Sequence, residues 1–169
     1  MPKNERGFTL VELLVAMVVT SIVLGAFGSL FYHVLTMPIR QGDHLTAENE
    51  LRFTLDLIQA DGVQARSFTY SNAPYYGYFS WDYFDPGLGG FVTYRVYYKY
   101  DGGMLIREQS LDSSSAVIAR HIVSASDVDF DYTAGETKIA VTITVTVDNG
   151  SGHIQTASGT RNVQMRVAP

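Results

Sequence analysis

Glu12 is the only fully charged side chain in the apolar run from Phe8 to Ile39. The run can cross a bilayer, because about 20 residues at about 1.5 Å per residue span a hydrocarbon core of roughly 30 Å. A carboxylate inside such a segment is costly unless a cation pairs with it. The chemistry open to Glu12 is therefore charge pairing at a fixed membrane depth. The alternative is a glutamate that snorkels to the interface from the first helical turn.

A second group of candidate residues lies in residues 72–90, where seven side chains are aromatic. Exposed aromatic rings offer a large contact area at low entropic cost, so the segment could bind a sugar, a partner subunit or a surface. The candidate binding residues are Tyr75, Tyr76, Tyr78, Trp81 and Tyr83. Alternatively, the segment folds over a sheet and buries most of its rings. Its glycines, Pro74 and Pro86 predict a loop in either case.

Catalytic and metal-binding patterns find little support in the sequence. The four histidines are scattered, and neither a His-x-x-x-His pair, a Gly-x-Ser-x-Gly elbow nor a phosphate loop occurs. Asp127, Asp129 and Asp131 could offer oxygens to Ca²⁺. Strand geometry, however, spaces them about 7 Å apart on one face, which predicts a solvated face. We therefore expect no enzyme activity, no cofactor and no metal site.

The composition of the chain restricts its possible binding partners and metal sites. The 169 residues carry a net charge of -5 and no cysteine, which excludes disulfides and thiolate metal sites. Without the apolar N-terminal third, about 130 residues remain, enough for one compact head. The head is itself acidic and has no cluster of Lys and Arg, which argues against a nucleic-acid surface.

The flank of the apolar run predicts its orientation. Lys3 and Arg6 outweigh Glu5 before the run, so the N-terminus should be cytoplasmic and the head should face outward. Three fates of the segment compete. It is a secretory signal peptide cut before Ser29, an uncleaved anchor, or a leader cut on the cytoplasmic side. The first two leave the Glu12 carboxylate unexplained.

The third fate matches a known pattern. Residues 6–14, Arg-Gly-Phe-Thr-Leu-Val-Glu-Leu-Leu, resemble the prepilin leader junction of type IV pilins and type II secretion pseudopilins. The resemblance implies that a prepilin peptidase cuts after Gly7 and methylates the new amine of Phe8, and that Glu12 is the acidic fifth residue of the mature chain. A looser resemblance joins "LRFTLDLIQADGVQA" to the minor pilin W and pseudopilin J group.

The resemblance implies further expectations about partners and location. They are processing by the peptidase, contact with other pilin or pseudopilin subunits, an inner-membrane assembly platform, and membrane lipid. The protein should cross the inner membrane once and then enter a periplasmic or extracellular filament, with a priming or tip role. The alternative is a membrane-anchored module that binds a surface through residues 72–90.

The helical part of the chain has two predicted segments. A leader at residues 1–7 precedes a membrane or filament-core helix at 8–36, in which Gly25 and Gly28 permit close helix approach. An amphipathic helix follows at 37–66, with the apolar stripe Leu51, Leu55 and Ile58. Pro38 predicts a kink or brief interruption at Met37.

Residues 67–169 show the period-two pattern of strands. In "FVTYRVYYKY" one face carries Val92, Tyr94, Val96, Tyr98 and Tyr100, and Asp101-Gly102-Gly103 predicts a hairpin turn. "TKIAVTITVTV" places its Ile and Val residues inward, "DNGSG" predicts a turn, and Val163, Met165 and Val167 mark a last strand. The predicted fold is α+β: a long N-terminal helix whose C-terminal half packs on an antiparallel meander.

Overall fold

The structure, a computed structural model, describes residues 9–148, 150 and 154–166, and only the backbone of residues 36 and 38–40. It consists of one long helix, α1 (Leu10–Gln64), followed by eight strands. The chain divides into two compact units between Gln41 and Gly42. The predicted leader at residues 1–7 and Phe8 lie outside the described residues.

The first unit contains the N-terminal part of α1. Its segment Leu10–Leu35 has a mean hydropathy of 2.4 and no buried residue, and its length and composition suffice to cross a membrane. The interruption predicted at Met37 is wrong, because helical backbone continues through residues 36–40. A proline φ of about −65° is itself compatible with a helix, so Pro38 removes a hydrogen bond without ending the element.

The second unit contains the C-terminal part of α1 and two antiparallel sheets. The strands are β1 (Ser67–Tyr70), β2 (Tyr75–Asp85), β3 (Gly90–Asp101), β4 (Met104–Gln109), β5 (Ser115–Ala119), β6 (Val128–Asp131), β7 (Lys138–Asp148) and β8 (Ile154–Gln164). We call the sheet with the order β1-β2-β3-β4-β5 sheet A, and the sheet with the order β6-β7-β8 sheet B. The predicted single meander is thus two meanders, divided by the 3₁₀ helix Ala125–Asp127.

The core of this unit lies between α1 and the two sheets. The stripe Leu51, Leu55 and Ile58 is buried, which confirms the predicted amphipathic helix. The predicted inward residues of β7, namely Ile139, Val141, Ile143, Val145 and Val147, are buried as well. Most of "DNGSG" and Val167 lie outside the described residues, whereas Val163 and Met165 are buried at the end of β8.

Gly62 marks a close approach of α1 to the sheets. A Cβ added there would lie 2.2 Å from Val163 Cγ1 and 3.3 Å from Phe79 Cζ. Since real Cβ atoms do not approach other heavy atoms so closely, only glycine fits between the helix and these two strands. The helix was predicted to extend to residue 66, and it ends at Gln64.

The aromatic segment at residues 72–90 is not the predicted loop. Residues Tyr75–Asp85 form β2, and β3 begins at Gly90, so the connecting turn is limited to residues 86–89. Tyr, Phe and Trp favour strands because their rings pack well on a pleated surface, and here this preference prevails over the prolines and glycines at the ends. Among the described strands, residues 81–85 of β2 and 90–95 of β3 pair only with each other, so they form a two-stranded ribbon.

Candidate assembly and binding sites

Glu12 caps the N-terminal end of α1 together with Thr9. The Thr9 backbone N–H and hydroxyl donate to Glu12 Oε2 at 3.0 Å and 2.9 Å, and the Glu12 N–H donates to Thr9 Oγ1 at 3.3 Å. This reciprocal pair is a capping box, which satisfies donors that a helix start leaves unpaired. Its Thr-x-x-Glu signature was present in the sequence and was missed there.

The charge of Glu12 remains without a partner in the described part of the chain, where no cation pairs with its carboxylate. The helix surface beside it forms a groove lined by Val11, Val15, Ala16, Val19 and Thr20. The Thr20 hydroxyl donates to the Ala16 carbonyl at 2.7 Å and needs no outside partner. The Glu12 carboxylate is therefore the group at this groove that needs a cation as its partner.

Gly25 and Gly28 lie on a different face of α1. At 3.6 residues per turn, both are displaced by more than a third of a turn from Glu12 around the helix axis. An added Cβ at either glycine would meet nothing within 4 Å. The two predicted assembly features, the carboxylate and the glycine pair, can thus contact different neighbours.

A buried ion pair joins α1 to sheet A in the second unit. Arg107 donates from Nε and Nη2 to the two carboxylate oxygens of Asp61, each at 2.7 Å, and the Tyr98 hydroxyl donates to the same carboxylate. Asp61 is 5% exposed. Burial, with the Asp61 charge nearby, raises the pKa of Tyr98, and the hydrogen bonds to Asp61 raise the pKa of Arg107. Sequence reasoning missed this cluster.

The predicted binding residues of the aromatic segment divide between the two faces of sheet A. Tyr76, Trp81 and Tyr83 lie on the inner face. The Tyr76 hydroxyl donates to the Ala125 carbonyl at 2.8 Å, and burial raises the pKa of Tyr76 to about 12. Trp81 pairs with Tyr94 across the ribbon, with ring centroids 4.5 Å apart.

Tyr75 and Tyr78 lie on the outer face, where both contact Tyr97 of β3. The ring centroid of Tyr97 is 5.8 Å from that of Tyr75 and 4.9 Å from that of Tyr78. Arg95 and Lys99 lie 5.7 Å and 5.9 Å from the rings of Tyr78 and Tyr75, within the range of cation–π contacts. Sequence reasoning missed Tyr97, although the alternation in β3 that places Tyr98 inward places Tyr97 outward.

The three aspartates around β6 have separate surroundings. Asp129 and Asp131 are exposed, as predicted for a solvated strand face. Asp127 instead accepts from the Ser124 backbone N–H at 2.8 Å and caps the 3₁₀ helix. Within the described residues no group of three or more His, Asp or Glu side chains could hold a metal ion.

An exposed apolar helix that begins with a capped carboxylate and is followed by antiparallel sheets fits a membrane-anchored, pilin-like protein. Residues 2–28 match the family described as the prokaryotic N-terminal methylation motif, the leader signature of type IV pilins and pseudopilins. The motif indicates this family and implies processing by a prepilin peptidase and assembly with other pilins. No curated protein and no solved structure shows significant similarity to the chain.

Proposed function

We propose that the chain is a minor pilin or pseudopilin subunit that primes or caps a type IV pilus or a type II secretion pseudopilus. The observation that carries the proposal is the methylation motif at residues 2–28, with Glu12 as the fifth residue after the Gly7–Phe8 junction. The priming or tip role is supported by the looser resemblance of "LRFTLDLIQADGVQA" to minor subunits. Its role is structural.

The mechanism pairs two charges between neighbouring subunits. Cleavage after Gly7 creates a cationic amine at Phe8, directly before the capping residue Thr9. In a single subunit, Glu12 accepts hydrogen bonds from Thr9, and no cationic side chain of the described residues pairs with its carboxylate. The Phe8 amine of a neighbouring subunit supplies that cation when it lies at the same membrane depth as Glu12. A subunit that docks at another depth leaves the Glu12 carboxylate unpaired in lipid, which is costly. The pair therefore fixes the register of an incoming subunit.

The remaining surface of the membrane segment provides the packing. Its apolar side chains are exposed along Leu10–Leu35 and can contact lipid before assembly and other subunits afterwards. Gly25 and Gly28 give a second neighbour close access on another face of α1. In this scheme the subunit waits in the inner membrane with its head outside, and an assembly platform in that membrane moves it into the filament.

The N-terminus of the mature protein tests the proposal. It should be isolated from the native membrane and filament fractions, and its mass and sequence determined. We expect a chain that begins at N-methylated Phe8. A chain that begins at Ser29 would show a secretory signal peptide, and an intact Met1 would show a simple anchor. Either result would contradict filament assembly and would favour the surface-binding module.

A further inference from the structure

A polar cavity of about 430 Å³ lies on the outer face of sheet A. Tyr75 and Tyr97 form its aromatic wall, and Glu108 of β4 lies at the same site. The β1–β2 connection supplies Ser71, the β4–β5 connection supplies Ser110 and Ser113, and β5 begins with Ser115. The volume lies within the range of about 300 to 1,000 Å³ that is typical of small-molecule sites.

The aromatic wall is held in place by its own contacts. The rings of Tyr75 and Tyr97 meet edge to face at an interplanar angle of 66°. Both side chains are half-buried, so part of each ring faces the cavity. Half-buried tyrosines combine an apolar face with a polar hydroxyl, and they lose little conformational entropy on binding.

Glu108 provides a fixed acceptor beside this wall. Its Oε2 accepts from the Tyr75 hydroxyl at 3.0 Å, and its other oxygen pairs with Lys99. The hydrogen bond from Lys99, with that from Tyr75, lowers the pKa of Glu108, so the carboxylate is ionised at neutral pH. A carboxylate has about four lone-pair positions, so two further donors can be accepted.

The serines add hydroxyl groups with unused capacity. Ser110 Oγ accepts from the Arg95 backbone N–H at 2.9 Å. The hydroxyls of Ser71, Ser113 and Ser115 make no hydrogen bond to the described residues. Ser113 also has a φ of +52°, a conformation that non-glycine residues rarely adopt and that recurs at ligand sites.

We propose that this cavity binds a hexose unit of an oligosaccharide. A hexose has C–H faces that can pack on Tyr97 and vicinal hydroxyls that can donate to Glu108 and to the serines. An apolar ligand would leave Glu108 and the hydroxyls desolvated without partners. The site lies within the head, so the inference does not depend on filament assembly.

The test uses the full-length protein in a detergent without a sugar head group. The probes are the tetramers of β-linked glucose and of β-linked N-acetylglucosamine, and binding is measured by saturation-transfer NMR and by calorimetry. We expect at least one tetramer to bind, and both Tyr97→Ala and Glu108→Gln to weaken its binding by about tenfold or more. Tyr83→Ala removes an exposed ring on the inner face of the same sheet and should leave binding unchanged.

Two results would overturn the proposal. One is that neither tetramer binds the wild-type protein; the other is that Tyr83→Ala weakens binding as much as Tyr97→Ala does. Near-UV circular dichroism shows whether each variant is folded, and Glu108→Gln remains informative if Tyr97→Ala does not fold. The N-terminal mass of the same preparation reports processing separately, so a failure of sugar binding does not bear on the filament role.

Discussion

The two parts of α1 belong to one continuous helix but differ in what covers their apolar side chains. Along Leu10–Leu35 no residue is buried. Between residues 42 and 64 the apolar stripe is covered by the two sheets, with Leu51, Leu55 and Ile58 all buried. The first part therefore lacks its packing partners within the described chain, whereas the second part has them. The difference separates the surface that needs lipid or other subunits from the surface that makes the fold.

The carboxylates Glu12 and Asp61 show the same contrast. Asp61 accepts two hydrogen bonds from Arg107 and one from Tyr98, so its charge is matched within the head. Within the described residues, Glu12 accepts hydrogen bonds from Thr9 alone. Substitution of Asp61 should therefore change stability, and substitution of Glu12 should change assembly.

The largest effect is expected for Glu12→Gln. The amide oxygen can still accept from Thr9, so the cap is retained, but the charge that would pair with a Phe8 amine is lost. We expect the protein to reach the membrane at wild-type levels and to be nearly absent from filaments. Quantitative immunoblotting of membrane and sheared-filament fractions measures both.

Thr9→Ala is the matched control for Glu12→Gln. It removes the capping hydroxyl, which costs about 1 kcal/mol of helix stability, and leaves the carboxylate in place. Filament incorporation should be largely retained. If Thr9→Ala blocked assembly and Glu12→Gln did not, Glu12 would act as a helix cap rather than as a contact between subunits.

A smaller but still large effect is expected for Asp61→Asn in the head. The change leaves the buried Arg107 charge unmatched, and breaking a buried pair in this way costs about 3 to 5 kcal/mol. Urea unfolding of the full chain in detergent, followed by tyrosine and tryptophan fluorescence, measures the loss. The membrane level of the protein should fall in parallel.

Asp56→Asn controls for the loss of an acidic charge on the same helix. Asp56 pairs with Arg161, but the Asp56 side chain is 65% exposed. Exposed pairs contribute about 0 to 1 kcal/mol, so this variant should unfold nearly as the wild type does. Equal losses of unfolding free energy for Asp56→Asn and Asp61→Asn would show that burial does not increase the contribution of the Asp61 pair to stability.

Apart from the two control variants, the smallest effect is expected for Glu108→Gln, and it depends on pH. Lys99 and Tyr75 lower the pKa of Glu108 in the folded protein, so the ionised carboxylate contributes stability above its unfolded pKa of about 4.3. That contribution is lost as the pH falls through the lower folded pKa. The wild type should therefore exceed Glu108→Gln in urea midpoint at pH 7 but not at pH 2. A difference that persists unchanged at pH 2 would contradict this ionisation.

Local pattern was sufficient to predict much of the fold. Alternation predicted β3 and β7 with the correct faces, and Asp101-Gly102-Gly103 lies at the predicted hairpin, with positive φ at both glycines. The division into two sheets was not predicted, because it depends on which strands pair and not on the strands themselves. The ribbon was predicted as a loop because proline and glycine at its ends were given more weight than its aromatic β-propensity.

The sites were predictable to different degrees for a physical reason. The leader junction is a contiguous motif, so it can be read without knowledge of the fold. The pair of Asp61 and Arg107 joins residues 46 positions apart, and Tyr98 is 37 positions from Asp61. Neither contact has a local signal. The outer cluster of Tyr75, Tyr78 and Tyr97 also needs the register of β2 with β3, which is shifted between Tyr75 and Gly77.

The close approach at Gly62 has a mechanical consequence for the head. A force that pulls α1 along its axis would move the side chains next to Gly62 towards Val163 and Phe79, where even a Cβ has no room. The same pull would have to break the hydrogen bonds of Thr54 to Ile118 and of Glu50 to the backbone of His121 together. These bonds share the load in shear rather than opening one after another. The head should therefore resist extraction of its helix and transmit tension as a single rigid body.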